Sequence, residues 1–362
     1  MLECWETAFA HPIIPACQHS NTPLLQHPVL PQFRLPPLCL SVYEQAVILN
    51  WIFGALAVLS FVLLFWQWVV ARRFPLHQRV RDNSYFPAVT LLKPLKGCDT
   101  ATEDCLRSWL AQDYAGPTEI LFGVASADDP VCEIVRRLMR EHPGRDLRLI
   151  AADSLPAANA KVATLAELEK IAKHEILVIS DADVRVPPDF LANAVAGLRA
   201  PEVGLVSCFY RLANPATLAM QWEAIAVNAD FWSQVLQSQS LKPLAFALGA
   251  AMVTRREQVA EIGGLKSLAD CLADDYQLGN RIARRGHRLG LCPVVVECWD
   301  PPMNWRAVWK HQLRWARTIR VCQPVPYFFS ILSNVTLWAG LWFVAELFDT
   351  KLGTTGCGSG SP

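Results

Sequence analysis

From Ala46 to Val70 the chain reads AVILNWIFGALAVLSFVLLFWQWVV, a run without charge that exceeds the ~20 residues needed to cross a bilayer core. Such a run is expected to form a transmembrane helix. A cleaved signal peptide is the competing reading, but the run is too long for its apolar region and begins far into the chain. Arg72, Arg73, Arg79 and Arg81 follow it, whereas Arg34 is the one Lys or Arg of the preceding arm. The positive-inside rule then places everything after Arg72 in the cytosol. A second apolar stretch, Tyr327 to Phe348, carries a single acidic residue, Glu346, and follows Arg314, Arg317 and Arg320. It predicts a second crossing, with a buried core helix as the alternative, so that both chain ends lie outside.

The expected organisation is a Pro-rich arm (1–45), a spanning helix (46–70), a cytosolic catalytic domain (71–302), an amphipathic interface helix (303–326), a second span (327–348) and a disordered Gly/Ser-rich tail (349–362). The formal net charge is zero and no long basic run occurs, which argues against a nucleic-acid partner. The 12 Cys are scattered. Neither Cys98 with Cys105 nor Cys292 with Cys298 has the pairing of a zinc site, and reduced, mostly buried thiols are expected; a disulfide framework would suit a small secreted domain.

Between the spans, short Val/Ile/Leu runs alternate with longer amphipathic stretches, the pattern of βαβ units around a mainly parallel sheet. Strands are predicted over Ala88 to Leu92, Glu119 to Val124, Leu147 to Ile150, Glu175 to Ser180, Val203 to Cys208 and Phe246 to Val253. Ligands of such α/β sheets bind beyond the carboxyl ends of the strands. Acidic residues directly after strand-like runs are therefore the first candidates for chemistry: Asp128 and Asp129, Asp181 and Asp183, and Asp274 and Asp275 before a helix.

Asp181 and Asp183 stand two apart, so a locally extended backbone aims both carboxylates to one side. That pair suits a hard cation, Mg²⁺ or Mn²⁺, whose remaining positions a diphosphate fills. The alternative is a solvated turn capping a helix before VPPDF. Asp274 and Asp275 suit acid–base chemistry, one carboxylate accepting a hydroxyl proton while its neighbour raises its pKa, although capping and the helix dipole also favour acids there. His311, Arg314 and Trp315 share one face of a predicted helix, an arrangement fit for a diphosphate and a sugar or lipid wall, or for a helix on the membrane surface with Trp309, Trp315, Arg317 and Arg320 at the headgroups. Lys93, Lys96 and Gly97 in LLKPLKG, with Asn159 and Lys161 in ANAKVATL, are expected in βα loops or helix starts facing a nucleotide, though a lone loop lysine is usually only solvated.

Taken in order, LLKPLKG, SADDP, ANAKV, SDADVRVPPDF, LADDYQLG and HQLRW, followed by an apolar segment, resemble the ceramide glucosyltransferase family of inverting GT-A glycosyltransferases (family 21 type) over about Val89 to Val321. The form of LADDYQLG and HQLRW, with RTIR after it, is most similar to the bacterial branch associated with hopanoid biosynthesis. The resemblance implies a GT-A fold, Rossmann-like with a mainly parallel sheet, in a bacterial inner membrane. It implies that Asp129 binds the nucleotide base, that Asp181 and Asp183 serve metal and diphosphate, that Asp275 is the base, and that Arg314 and Trp315 hold the donor. His311 stands where the family has Gln or Arg. The expected reaction is transfer from a UDP-sugar, UDP-N-acetylglucosamine, to a membrane lipid hydroxyl of a hopanoid. Alternatives are ceramide with UDP-glucose, a processive polysaccharide synthase, and a non-catalytic membrane scaffold.

Overall fold

The structure, a computed structural model, describes residues 42–76, 78–80, 84–152 and 158–356. Most of the expected Pro-rich arm, Arg34, Arg81 and the last residues of the expected tail lie outside them. The apolar run forms helix α1 (Val42–Arg73), which among the described residues is the one helix long and apolar enough to cross a membrane unbroken. Its last turn carries Arg72 and Arg73.

The middle of the chain builds one eight-stranded sheet. In chain order its elements are β1 (Val89–Leu95), α2 (Thr102–Leu110), β2 (Thr118–Val124), α3 (Val131–Glu141), β3 (Asp146–Ala151), α4 (Ala160–Ile171), β4 (Ile176–Ser180), β5 (Val184–Arg185), α5 (Phe190–Ala196) and β6 (Val203–Leu212). There follow α6 (Leu218–Ile225), a π turn (Ala226–Phe231), α7 (Trp232–Leu241), β7 (Ala251–Arg255), α8 (Arg256–Glu261), α9 (Asp274–Arg284), β8 (Arg288–Cys298) and α10 (Trp305–Cys322). The strand order is β3-β2-β1-β4-β7-β6-β8-β5. The first four run parallel, and β7 is antiparallel to both its neighbours.

Strands covered on both faces need apolar side chains on both, hence continuous rather than alternating runs. β4 shows this: Ile176 and Val178 pack with α2, α3 and α5, while Leu177 and Ile179 pack with α4 and α9. Three expectations need correction. β8 was not among the predicted strands, because Gly290 and Pro293 punctuate it like a turn; Pro293 falls where the pairing with β6 is irregular, between Cys208 and Tyr210, a place that needs no ladder donor from it. The strand expected over Phe246 to Val253 begins only at Ala251. Lys93 lies in β1 rather than in the loop after it.

The second apolar stretch is also corrected. It is no single rod but α11 (Pro324–Phe329), a 3₁₀ turn (Ser330–Ser333) and α12 (Val335–Gly356), bent by 50°. Asn334 makes the break: its Oδ1 accepts the Leu337 N–H at 2.9 Å and so starts a new helix, while the Trp338 indole donates to the Ile331 carbonyl at 2.7 Å. Residues 349–356, expected as disordered tail, continue α12. α12 packs against α1, where Gly54 leaves room for the Trp342 indole, 3.2 Å from the place a Cβ would occupy. Glu346, the acid of the apolar stretch, accepts a hydrogen bond from Asn50 of α1 at 3.0 Å. The described cysteines are free thiols, as expected.

Candidate active site at the switch of the sheet

β1 connects to β2 on one side while β4 lies on the other, so the sheet's strand order reverses between β1 and β4, where an α/β sheet forms its ligand crevice. The β1–β4 ladder ends at Leu92 with Ile179. Beyond it the carboxyl end of β4 delivers Asp181, Ala182 and Asp183.

Lys93 is buried beneath this turn. Its ammonium donates to the Asp181 carbonyl and to Ser180 Oγ (3.2 Å), with the Trp109 ring 5.3 Å away. Burial lowers its pKa to about 8 against the opposing pull of Cys105, Asp183 and Asp181. The structure thus places Lys93 as a brace of the Asp-x-Asp turn and not on a nucleotide-facing surface. Burial, then Asp181, then Asp300 push the Asp183 carboxyl up to about 7, with Lys93 pulling the other way.

Lys161 occupies the centre. Its Nζ lies 2.6 Å from Asp181 Oδ1 and 2.9 Å from Asp274 Oδ2, tying the end of β4 to the start of α9. Burial alone would lower its pKa, but Asp181 and Asp274 outweigh that and raise it. Asn159 caps α4 by accepting from the Val162 N–H and reaches across to the Cys271 carbonyl (2.9 Å) and Asp274 (3.4 Å). The ANAKV segment therefore joins two acidic motifs far apart in sequence.

Asp275 stands beside Asp274 at the start of α9. Burial first, then the Asp274 charge, raise its pKa to about 6. Gly249 leaves it room: a Cβ there would stand 2.6 Å from Asp275 Oδ2. Burial first, then Cys298, Asp275, Asp181 and Asp183, push the pKa of the Tyr210 phenol well above its ordinary value. At the other end Asp129 accepts the Gly97 N–H on both oxygens at 3.0 Å and the Val131 N–H at 3.0 Å. Gly97 has φ +66°, so the β1 loop depends on a residue without a Cβ there.

On α10, His311 and Trp315 do share a face, their ring centroids 4.7 Å apart, and Trp315 meets Tyr210 edge-on at 6.2 Å. Arg314 is exposed on the same helix. Two residues the sequence analysis passed over join this group. Glu223 of α6 is fully buried, and its Oε1 receives His311 Nδ1 at 2.7 Å and Gln312 Nε2 at 2.9 Å. Asp300, two residues past the end of β8, is raised in pKa by burial against the pull of His311 and Arg314. An acid within the apolar helical stretch LAMQWEAI is the signal for Glu223; Asp300 had none while β8 was unseen.

Glu223→Ala leaves two donors without their acceptor, which is expected to destabilise the fold by about 1–3 kcal/mol. Glu223→Gln keeps an acceptor oxygen and is expected to lose less. Thermal unfolding in detergent compares them; equal losses would show that Glu223 only fills space.

As for a metal, among the described residues no group of three or more His, Cys, Asp or Glu is gathered as a complete ligand set. Asp181 and Asp183 nevertheless fit one, because the Lys161 ammonium already sits on the Asp181 carboxylate as a stand-in cation, and donor oxygens can complete the shell.

A half-parallel sheet with an Asp-x-Asp turn at its switch point defines the GT-A class of glycosyltransferase folds. The chain belongs to glycosyl transferase family 21, whose model matches residues 52–357. Among curated proteins it is 22% identical over 240 residues to ceramide glucosyltransferase 3 of Caenorhabditis elegans, covering 64% of this chain and 52% of that protein. It is 32% identical over 160 residues to the ceramide glucosyltransferase of Komagataella phaffii, covering 40% of this chain and 31% of that one. The matches thus span between about a third and a half of these relatives' length. Among solved structures, mannosyltransferase PcManGT of Pyrobaculum calidifontis, in complex with GDP-Man and Mn²⁺, superposes with a TM-score of 0.56 at 24% identity over 87% of this chain and 88% of that one. That likeness shows the fold.

Proposed function

We propose that this protein transfers a sugar from a nucleoside-diphosphate donor to the hydroxyl of a membrane lipid, with inversion at the anomeric carbon. The observation that carries it is the ion-pair chain Asp181–Lys161–Asp274, which brings the Asp-x-Asp turn beside a carboxylate, Asp275, whose pKa suits a general base. Asp275 takes the acceptor proton as the acceptor oxygen attacks the anomeric carbon and the nucleoside diphosphate leaves. Asp274 and Lys161 hold that carboxylate's surroundings in place, Asp129 and the Gly97 loop face the nucleotide base, and Arg314 and Trp315 hold the diphosphate. Asp181 and Asp183 would hold Mg²⁺ or Mn²⁺, which supplies charge neutralisation for the leaving diphosphate.

The relatives bear on the substrates. The Caenorhabditis elegans and Komagataella phaffii relatives are ceramide glucosyltransferases by name, which favours ceramide and UDP-glucose over the hopanoid and UDP-N-acetylglucosamine expected from the sequence. Arg72 and Arg73 in the last turn of α1, with Arg79 after it, support a cytosolic site, and α12 packed on α1 supports a second membrane passage.

The test incubates enriched membranes with radiolabelled UDP-glucose or UDP-N-acetylglucosamine and with ceramide or hopanoid, followed by mass spectrometry of the labelled product. Glucosylated ceramide is the expected product. Label only in hopanoid would overturn the acceptor, label only in polymer would favour a processive synthase, and no transfer to any lipid would favour a scaffold.

A further inference from the structure

α6 played no part in the sequence analysis, yet its exposed face is apolar. Leu218 (74% exposed), Trp222 (48%) and Ile225 (69%) lie at i, i+4 and i+7 on one side, while Met220, Glu223 and Ala224 are buried on the other. The π turn after Ile225 changes the helical phase, so that α7, which continues the same rod, buries Val235 and Leu236. On the adjoining α10, Trp305 (59%) and Trp309 (65%) are exposed, and the Trp222 and Trp305 rings stand 6.3 Å apart. The two ridges therefore make one apolar surface.

The α6–α7 rod, through α7, and α10 are tied to the spanning bundle. Gln67, buried in the last turns of α1, donates to Gln237 of α7 at 3.0 Å, and Ser233 of α7 donates back to Gln67 at 3.3 Å. α10 leads through Gln323 into α11 and α12, and α12 packs on α1. α10 also exposes Arg306, Lys310, Arg317 and Arg320 and contains no Asp or Glu. Two copies meeting through this surface would bring those like charges together, whereas headgroup phosphates complement them.

We propose that α6 is a membrane-contact helix: Leu218, Trp222 and Ile225, with the Trp305–Trp309 ridge, sit in the cytosol-facing leaflet of an anionic bilayer and hold the active site at headgroup depth. This deepens the lipid-acceptor reading and rests on α1 crossing the membrane, but its test does not depend on transfer. The full chain is reconstituted in nanodiscs of phosphatidylcholine and phosphatidylglycerol, as Leu218→Cys or Ile225→Cys carrying bimane, with the other labelable cysteines replaced by serine. Lipids bearing a nitroxide just below the headgroup are expected to quench the label at both positions at least severalfold more than at Lys170→Cys, an exposed position of α4. Equal quenching at all three positions, or quenching only by a nitroxide carried on a second copy of the chain, would overturn the proposal.

Discussion

Replacing Asp275 by Asn is expected to lower kcat by ~10² to 10⁴ while leaving donor affinity within a few fold, the range for loss of a positioned general base. The substitution keeps the shape that Gly249 accommodates and removes the ability to accept a proton. Because burial and Asp274 raise the Asp275 pKa to about 6, the carboxylate is ionised at neutral pH yet more basic than an ordinary Asp. The sign follows directly: below about pH 6 the carboxyl is protonated and cannot serve as base, so wild-type kcat/KM falls with falling pH on a limb centred near 6. In the Asn variant that limb should vanish along with most of the rate. Near-normal turnover in the variant would relocate the base, with Asp274 the nearest carboxylate.

Asp183→Asn, or excess EDTA with the unaltered chain, is expected to weaken donor binding by roughly two orders of magnitude, since a divalent cation contributes several kcal/mol where phosphate charge gathers. The measurement is calorimetric titration with UDP-glucose, with and without Mn²⁺. A competing arrangement is present in the structure, because Lys161 lies between Asp181 and Asp274 as a built-in cation. Binding that ignores EDTA but collapses in Lys161→Met would assign the neutralising charge to the lysine and remove the metal.

The parts of this protein legible from sequence are those set by short-range pattern. An uncharged run longer than a bilayer core declares α1, and five-residue runs such as ILVIS declare strands because a sheet covered on both faces needs apolar side chains at every position. Asp181, Asp183, Asp274 and Asp275 stood out because each pair follows a strand-like run or opens a helix. β8 escaped because Gly290 and Pro293 carry turn signals that pairing with β6 and β5 overrides. The break in the second apolar stretch escaped because hydropathy is blind to the hydrogen bonds by which Asn334 and Trp338 end one helix and start another.

What tertiary structure alone decides is which polar group meets which. Lys93 reads as a loop lysine until β1 carries it under the Asp181 turn, 88 residues away. Lys161 has no acid within its own motif, yet the packing of α4 brings it Asp181 from the end of β4 and Asp274 from the start of α9. Glu223 meets His311 across 88 residues, and Asn50 meets Glu346 across 296. A buried charge must find a partner or stay neutral, but nothing in its local sequence says which distant segment will supply one. That choice is made by the packing of helices on the sheet and on one another, and with it come the pKa of Asp275 and the meeting of Asp181 and Asp274 on one lysine.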